Sequence, residues 1–113
     1  MPSEFGPSPI KHIAIFGAGG GGTSAAAHLS TLGFDIRLYS QDIEALRPLQ
    51  DIGGINYTAP FGDGFVEIGL ITNDAEAAMD DAELVMIVSP AHLHEKWVCA
   101  AAPHLTEDQV LFI

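Results

Sequence analysis

The sequence predicts an α/β fold in which a doubly wound parallel sheet carries helices on both faces. Three observations lead to this prediction. Short apolar runs, of the kind buried on both sides of a parallel sheet, recur at residues 13–16, 84–88 and 110–113. Segments with helical periodicity alternate with these runs, and a glycine-rich turn joins the first run to the first helix. These features predict a Rossmann-type sheet with the strand order 3-2-1-4-5.

The bulk composition fits one folded domain and restricts its partners. The chain has 113 residues, of which 48% are hydrophobic, enough for a real core. Its 15 acidic and 4 basic residues give a formal charge of −11, which argues against nucleic acid or an anionic membrane as partner. No apolar run is long enough to span a membrane. We therefore expect backbone amides and helix ends, not a basic patch, to hold any anionic ligand.

The glycine turn carries the clearest chemical signal. Gly17, Gly19 and Gly22 have the G-x-G-x-x-G spacing of a dinucleotide-binding turn, with a strand before it and a helix after it. The first glycine permits the sharp turn, the second lets a pyrophosphate approach the backbone, and the third allows close helix packing. A merely structural tight turn is the alternative interpretation. The cofactor contacts expected here are Gly17, Gly19, Gly20, Gly21, Gly22 and Thr23.

The first helix is expected to run to Leu32 and to end at Gly33, with Phe34 packing back on it. Its predicted apolar stripe consists of Ala25, Ala26, Leu29 and Leu32. The second strand covers residues 35–40, and the ribose of the adenosine half would lie at its end. Ser40 and Asp42 are the candidate contacts there, although Asp42 is at least as well suited to cap the next helix.

The second half of the chain continues the alternation. A helix is predicted from residue 43 to 47, where Pro48 limits or bends it. After an irregular stretch come a strand at 65–71, a short helix at 75–79 with Asp74 as N-cap, and a buried strand at 84–88. A loop leads into a helix within residues 91–102, and a last buried strand covers 110–113.

Other reactive residue types give weaker signals. His92, His94 and Glu95 do not have a zinc-binding spacing, so we predict no metal site. The single Cys99 excludes an internal disulfide and is predicted to be a small buried residue. A cytoplasmic location fits this cysteine content and the lack of a signal peptide. Residues 1–10 contain three prolines and are expected to form a flexible arm before the dinucleotide-binding domain at 11–113.

Several stretches together resemble the N-terminal domain of the opine (octopine/nopaline) dehydrogenases. They are IAIFGAGGGGTSAAAHLSTLGFDIRLYSQD, GGI at 53–55, FVEIGLITND, and ELVMIVSPAHLHE followed by APHLTEDQVLFI. Glycerol-3-phosphate dehydrogenases and ketopantoate reductases have a similar N-terminal domain. The GGI segment combined with Pro90, Ala91, His94 and Glu95 favours the opine group.

The resemblance implies hydride transfer between NAD(P)H and the imine of an amino acid and a 2-oxo acid. By position, Ser89 and Pro90 would line the nicotinamide ribose, and His94 would act as a positioning residue. The cofactor would be NAD or NADP, with a slight lean to NAD because no free cation follows the second strand. Catalytic residues and the small-molecule substrate site would lie in a C-terminal helical domain that this chain lacks.

We therefore expect a fragment that binds cofactor, does not turn over substrate alone, and can self-associate through its exposed sheet edge. The main alternatives are the cofactor domain of a glycerol-3-phosphate dehydrogenase or ketopantoate reductase-like enzyme, and a stand-alone NAD(H)-sensing module. A fold that binds S-adenosylmethionine and a domain without a ligand are further alternatives, and the ridge of consecutive glycines disfavours the last of these.

Overall fold

The computed structural model describes residues 10–59, 62–107 and 109–112. Seven strands occur in these ranges: β1 (His12–Phe16), β2 (Asp35–Tyr39), β3 (Gly54–Ala59), β4 (Gly62–Glu67), β5 (Leu70–Thr72), β6 (Leu84–Ile87) and β7 (Val110–Phe112). The same ranges contain four α-helices: α1 (Gly20–Thr31), α2 (Ile43–Ile52), α3 (Ala75–Met79) and α4 (His94–Ala101). None of these helices is long and apolar enough to span a membrane. The arm predicted for residues 1–10 lies outside the described residues, except for Ile10.

Five strands form one parallel sheet in the order β5-β2-β1-β6-β7. Within it β1 pairs with β2 from His12 opposite Asp35, and with β6 from Ile13 opposite Leu84. β3 and β4 pair only with each other and lie outside this sheet. When the five strands of the main sheet are numbered in chain order, their arrangement is the predicted 3-2-1-4-5, and the prediction is confirmed. The order reverses between β1 and β6, and their carboxyl ends therefore flank the crevice in which such folds bind ligands.

The sheet separates two apolar cores because alternate side chains of a strand point to opposite faces. Ala14 and Phe16 pack on the side of α3 and α4, whereas Ile13 and Ile15 pack on the side of α1 and the β3–β4 hairpin. All four side chains are 2% exposed or less. The first apolar run of the sequence is therefore the central strand of the molecule.

The β3–β4 hairpin corrects the expected strand at residues 65–71. β4 pairs antiparallel with β3, with Tyr57 opposite Gly64, and the chain breaks at Ile68 and Gly69 before β5 joins the sheet. Gly64 leaves room for the aromatic ring opposite, because a Cβ there would lie 2.5 Å from the Tyr57 hydroxyl oxygen. The apolar run at 65–71 is thus shared between two sheets, which its continuous hydrophobicity does not reveal.

The end of α1 follows the prediction. Gly33 has a φ of +100°, its N–H donates to the Ser30 carbonyl, and the Phe34 N–H donates to the Leu29 carbonyl. These two bonds form a Schellman cap, which needs a left-handed residue after the helix. Leu32, however, is 61% exposed, and its predicted place in the apolar stripe is wrong. The helix buries Ala26, as predicted, and also Gly22 and Ala27.

The second helix continues beyond its predicted end at residue 47. α2 runs through Pro48 to Ile52 and ends at Gly53, whose φ is +73° and whose N–H donates to the Leu49 carbonyl at 2.8 Å. Proline in a helix interior costs about 3 kcal/mol because a hydrogen bond is lost. Full burial of Leu46 offsets much of this cost, since a buried leucine contributes roughly 1.5–3 kcal/mol.

Two predictions of burial are wrong. Val110 and Phe112 in β7 are 58% and 60% exposed, because β7 is the last strand in the sheet order and only the side facing α4 is covered. Cys99 is exposed because α4 buries Trp97 and Ala101, so that a residue two positions from each of them faces away. The predicted Asp74 cap of α3 is confirmed, with its carboxylate accepting the Glu76 and Ala77 N–H groups.

Candidate functional site

Gly17 closes the turn at the end of β1. Its φ is +127°, a conformation that residues with a Cβ rarely adopt. Its N–H donates to the Tyr39 carbonyl at 2.9 Å, and a Cβ would lie 2.2 Å from the Val88 carbonyl oxygen. Glycine is required here because the carboxyl ends of β1, β2 and β6 converge on this residue.

Gly22 brings α1 against the same turn. A Cβ at Gly22 would lie 1.7 Å from the carbonyl oxygen of Gly17 and 2.6 Å from its carbonyl carbon. Because these are backbone atoms, no side-chain movement could relieve the overlap. Gly22 therefore sets the distance between the helix and the strand, which is the role that the sequence predicts for it.

Gly19 and Gly20 differ from the other glycines of the turn because packing does not require them. A Cβ at either position would meet nothing within 4 Å among the described residues. Gly19 has a φ of −79° and a ψ of −170°, which any residue can adopt. Both are exposed at the N-terminus of α1, where the first N–H groups have no partner inside the helix. Bare backbone at this place suits a bound anion.

A cleft of about 690 Å³ opens beside the turn, at the carboxyl ends of β1, β2 and β6. Its walls are the glycine turn, the residues after β2, the segment after β6 and one face of α4. The lining residues are Gly17, Ala18, Gly19, Gly20, Gly21, Ser40, Asp42, Ala45, Val88, Ser89, Pro90, Leu93, Lys96 and Trp97. Eight of the ten predicted cofactor residues are brought together here, and Gly22 and Thr23 are not among the lining residues.

The Thr23 hydroxyl is held by its own helix. It donates to the Gly19 and Gly20 carbonyl oxygens, at 3.0 and 3.2 Å. These contacts stabilise the first turn of α1, and a direct contact between Thr23 and a cofactor stays a prediction without support from the cleft geometry.

Ser40 and Asp42 form the wall at the end of β2. Ser40 is 3% exposed, and its Oγ accepts the Asp42 N–H at 3.0 Å. Asp42 caps α2, because its Oδ1 accepts the Glu44 and Ala45 N–H groups at 3.1 and 3.3 Å. Within the described part of the chain, Oδ2 of Asp42 makes no hydrogen bond. The capping role that the sequence left open is therefore present, and the same residue lines the cleft.

His94 fixes the loop that follows β6. Its Nε2 donates to the Ser89 carbonyl oxygen at 2.9 Å, and a carbonyl can only accept, so the proton is assigned to Nε2. Ser89 and Pro90 line the cleft, whereas His94 does not. The imidazole thus contacts the loop that lines the cleft, and the positioning role that the resemblance implies for it stays a prediction.

Three cleft residues on the last helical segment were missed by sequence reasoning. Leu93, Lys96 and Trp97 follow the i, i+3, i+4 spacing of one helix face, and this face lies directly after β6. The spacing is a signal that could have identified them. Trp97 is 7% exposed and packs edge-on against the rings of Phe16 and Tyr39, with centroid distances of 6.5 and 6.0 Å. This wall of the cleft is therefore part of the core.

A second cleft of about 730 Å³ lies at the amino ends of the strands, near the start of β1 and β6. Four carboxylates line it, those of Glu76, Asp80, Asp81 and Glu83. Such a lining repels an anionic dinucleotide, whereas the cleft at the glycine turn contains one carboxylate and one ammonium group. Charge therefore selects the cleft at the glycine turn as the candidate functional site.

Glu83, at the amino ends of the strands, has a structural role. Burial raises its pKa, but hydrogen bonds from the Lys11 and His12 N–H groups and from the His12 ring outweigh burial and lower the pKa to about 2. The carboxylate thereby ties the start of β1 to the start of β6.

The described residues contain no group of three or more His, Cys, Asp or Glu side chains arranged to hold a metal ion. His92 is exposed, and the Nε2 of His94 is occupied by the Ser89 carbonyl.

Comparison with known proteins identifies relatives of this domain. A family model described as the NAD-dependent glycerol-3-phosphate dehydrogenase N-terminus matches residues 12–113. The chain is 30% identical to an opine dehydrogenase from Arthrobacter sp. (strain 1C), over 91% of this chain and 29% of that protein. It is 29% identical to a glycerol-3-phosphate dehydrogenase [NAD(P)+] from Thioalkalivibrio sulfidiphilus, over 88% of this chain and 29% of that protein. The chain thus spans less than a third of the length of these relatives.

Solved structures show the same architecture. A glycerol-3-phosphate dehydrogenase from Coxiella burnetii superimposes with a TM-score of 0.74 at 27% identity, over 91% of this chain and 32% of that one. An octopine dehydrogenase in complex with NADH and agmatine superimposes with a TM-score of 0.75 at 19% identity, over 89% of this chain and 27% of that one.

Proposed function

The chain belongs to the family of NAD-dependent glycerol-3-phosphate dehydrogenase N-terminal domains, and on this premise we propose that it is the nicotinamide-dinucleotide-binding domain of a cytoplasmic oxidoreductase. The observation that carries the proposal is the bare glycine backbone of Gly19 and Gly20, which opens into the cleft at the N-terminus of α1. Packing explains Gly17 and Gly22 but not these two residues. A ligand that needs close contact with the backbone explains why Gly19 and Gly20 are glycines.

The residues present fit such a cofactor. The N–H groups at the start of α1 would hold its pyrophosphate, Asp42 would face the adenosine ribose, and Ser89 and Pro90 would border the nicotinamide half. When bound, the cofactor supplies the hydride that is transferred. The protein supplies orientation, because β1, β2 and β6 fix the three contact regions relative to one another, and Trp97 closes one wall with a buried ring.

We propose that NAD is preferred over NADP. The free Oδ2 of Asp42 can accept a ribose hydroxyl, whereas a 2′-phosphate placed there would meet a negative charge. The nearest arginine on α2, Arg47, pairs with Glu44 at 3.4 Å on the exposed side of the helix. Titration of the protein with NADH and NADPH by isothermal calorimetry tests this preference. Tighter binding of NADPH would contradict it.

Asp74 offers a matched control for Asp42. Each aspartate caps a helix by accepting the N–H groups two and three residues further along the chain, but of the two only Asp42 lines the cleft. Asp42→Ala and Asp74→Ala should each cost about 1 kcal/mol of stability through the lost cap. Only Asp42→Ala should weaken NADH binding, by about tenfold, because a hydrogen bond to a charged group is lost. Equal NADH affinities in the two variants would refute the assignment of Asp42 to the ribose.

For the whole protein we propose hydride transfer to the imine of an amino acid and a 2-oxo acid. The opine dehydrogenase relative and the motif at Pro90, Ala91, His94 and Glu95 support this reaction. The family description supports a second candidate, oxidation of glycerol 3-phosphate. Both reactions need the same cofactor domain, and the rest of the protein would supply the substrate contacts and the catalytic acid or base.

Cofactor absorbance at 340 nm separates these reactions in the full-length protein. NADH consumption that needs both an amino acid and a 2-oxo acid supports the imine reaction. NAD reduction with glycerol 3-phosphate supports the second candidate and refutes the first. NADH binding without either activity would instead favour a stand-alone sensing module.

A further inference from the structure

The four basic side chains of this acidic chain differ in what surrounds them. Arg37 and Arg47 each lie within 3.4 Å of a carboxylate oxygen. Lys11 precedes β1 and therefore lies at the amino ends of the strands, whereas the glycine turn follows the carboxyl end of β1. Lys96 is the remaining one, and it lines the cleft. In the described part of the chain, no carboxylate lies within salt-bridge distance of its ammonium group.

Lys96 is exposed, and its ammonium group lies near one aromatic ring of the cleft wall. Its Nζ lies 5.5 Å from the centroid of the Trp97 ring, in the geometry of a cation–π contact. That ring is 7% exposed and is fixed by Phe16 and Tyr39. A lysine above a rigid aromatic surface loses less conformational freedom on binding a ligand than one that moves freely in solvent.

We infer that Lys96 contacts the pyrophosphate of the bound dinucleotide and compensates the negative field of the domain at this place. The inference rests on the proposed function. A formal charge of −11 repels an anionic ligand, and the helix N-terminus at Gly19 and Gly20 contributes only a partial positive charge. Among the residues that line the cleft, Lys96 on α4 is the one with a full positive charge, and the glycine turn lines the same cleft.

The test compares Lys96→Met, Lys96→Arg and the control Lys11→Met in the complete chain. Calorimetric titration with NADH at sodium chloride concentrations from low to high gives the affinity and its salt dependence for each protein. Loss of one charge contact of about 4 Å should weaken NADH binding roughly fivefold at low salt. Because the contact is screened by salt, the difference between Lys96→Met and wild type should shrink as the salt concentration rises. Lys96→Arg should retain most of the affinity, and Lys11→Met should bind as wild type does.

Titration with adenosine, which has no phosphate, identifies the group that Lys96 contacts. Its affinity should be equal in wild type and Lys96→Met if the lysine acts on the pyrophosphate, and a loss of adenosine binding would overturn that assignment. NADH affinity and salt dependence unchanged in Lys96→Met would overturn the inference while leaving the proposed function intact. Failure of the wild-type chain to bind NADH would overturn the proposed function and this inference with it. Thermal unfolding of each variant shows whether a lost affinity comes from lost folding.

Discussion

The two kinds of glycine in the turn should respond to substitution in opposite ways. Gly22→Ala adds a methyl group 1.7 Å from a backbone oxygen, whereas Gly19→Val adds a side chain whose Cβ meets nothing within 4 Å in the described structure. The first change should damage the fold and the second should block the cofactor. A turn that serves architecture alone would show no such separation.

The magnitudes follow from the two environments. Overpacking typically costs 1–3 kcal/mol, and an overlap with fixed backbone atoms belongs at the upper end, about 3 kcal/mol. For a domain of this size that lowers the melting temperature by roughly 12 °C. Gly19→Val loses a favourable N-cap residue but also reduces the entropy of the unfolded chain, and these effects of up to about 1 kcal/mol each nearly cancel. Its melting temperature should stay within about 4 °C of the wild type.

Thermal unfolding with and without NADH measures both effects in one experiment. A ligand at 100 times its dissociation constant adds about 2.7 kcal/mol, which for this chain is a rise of roughly 11 °C. Wild type should show this rise, Gly22→Ala should show it from a lower starting temperature, and Gly19→Val should show none. Trp97 provides an independent signal, because the single tryptophan lines the cleft and can transfer excitation energy to bound NADH.

Two results would refute the reasoning. If Gly22→Ala melts at the wild-type temperature, the close approach of α1 to the turn is not the reason for a glycine at this position. If Gly19→Val binds NADH with wild-type affinity, the bare backbone of the turn does not contact the cofactor. Gly20→Ala is a milder companion variant, since its Cβ also meets nothing within 4 Å in the described chain.

Three further predictions concern stability and association. The pKa of Glu83 is lowered from 4.5 to about 2, so its stabilising effect is complete above pH 4.5 and is lost as the pH falls towards 2. The urea midpoint should therefore fall more between pH 6 and pH 3 in wild type than in Glu83→Gln, and parallel pH profiles would contradict this. Pro48→Ala should stabilise α2 by about 1–2 kcal/mol because a helical hydrogen bond is restored, and a lower melting temperature would count against this reading. Exposed Phe112 on the edge strand β7 should promote self-association of the wild-type chain, and Phe112→Asp should abolish it. Sedimentation velocity at high concentration measures this, and a monomeric wild type would contradict the prediction.

Features that depend on neighbouring residues could be predicted from the sequence. The close approach of Gly22 to Gly17, the cap at Gly33 and the cap at Asp74 each follow from backbone sterics and hydrogen bonds within a few residues. The continuous apolar run at residues 13–16 marks the central strand, because a strand buried on both faces of a sheet has no polar positions. The strand order then follows from the alternation of elements and the handedness of crossovers.

Features that depend on distant partners were decided by the tertiary structure. The sequence does not show that residues 62–67 pair with β3 instead of joining the main sheet, because pairing depends on which strand edges are available. It does not show that Val110 and Phe112 are exposed, because exposure depends on what covers the sheet. That Lys96 and the glycine turn line one cleft has the same origin. About 75 residues separate them in the sequence, and the parallel pairing of β1 with β6 brings the ends of these strands together.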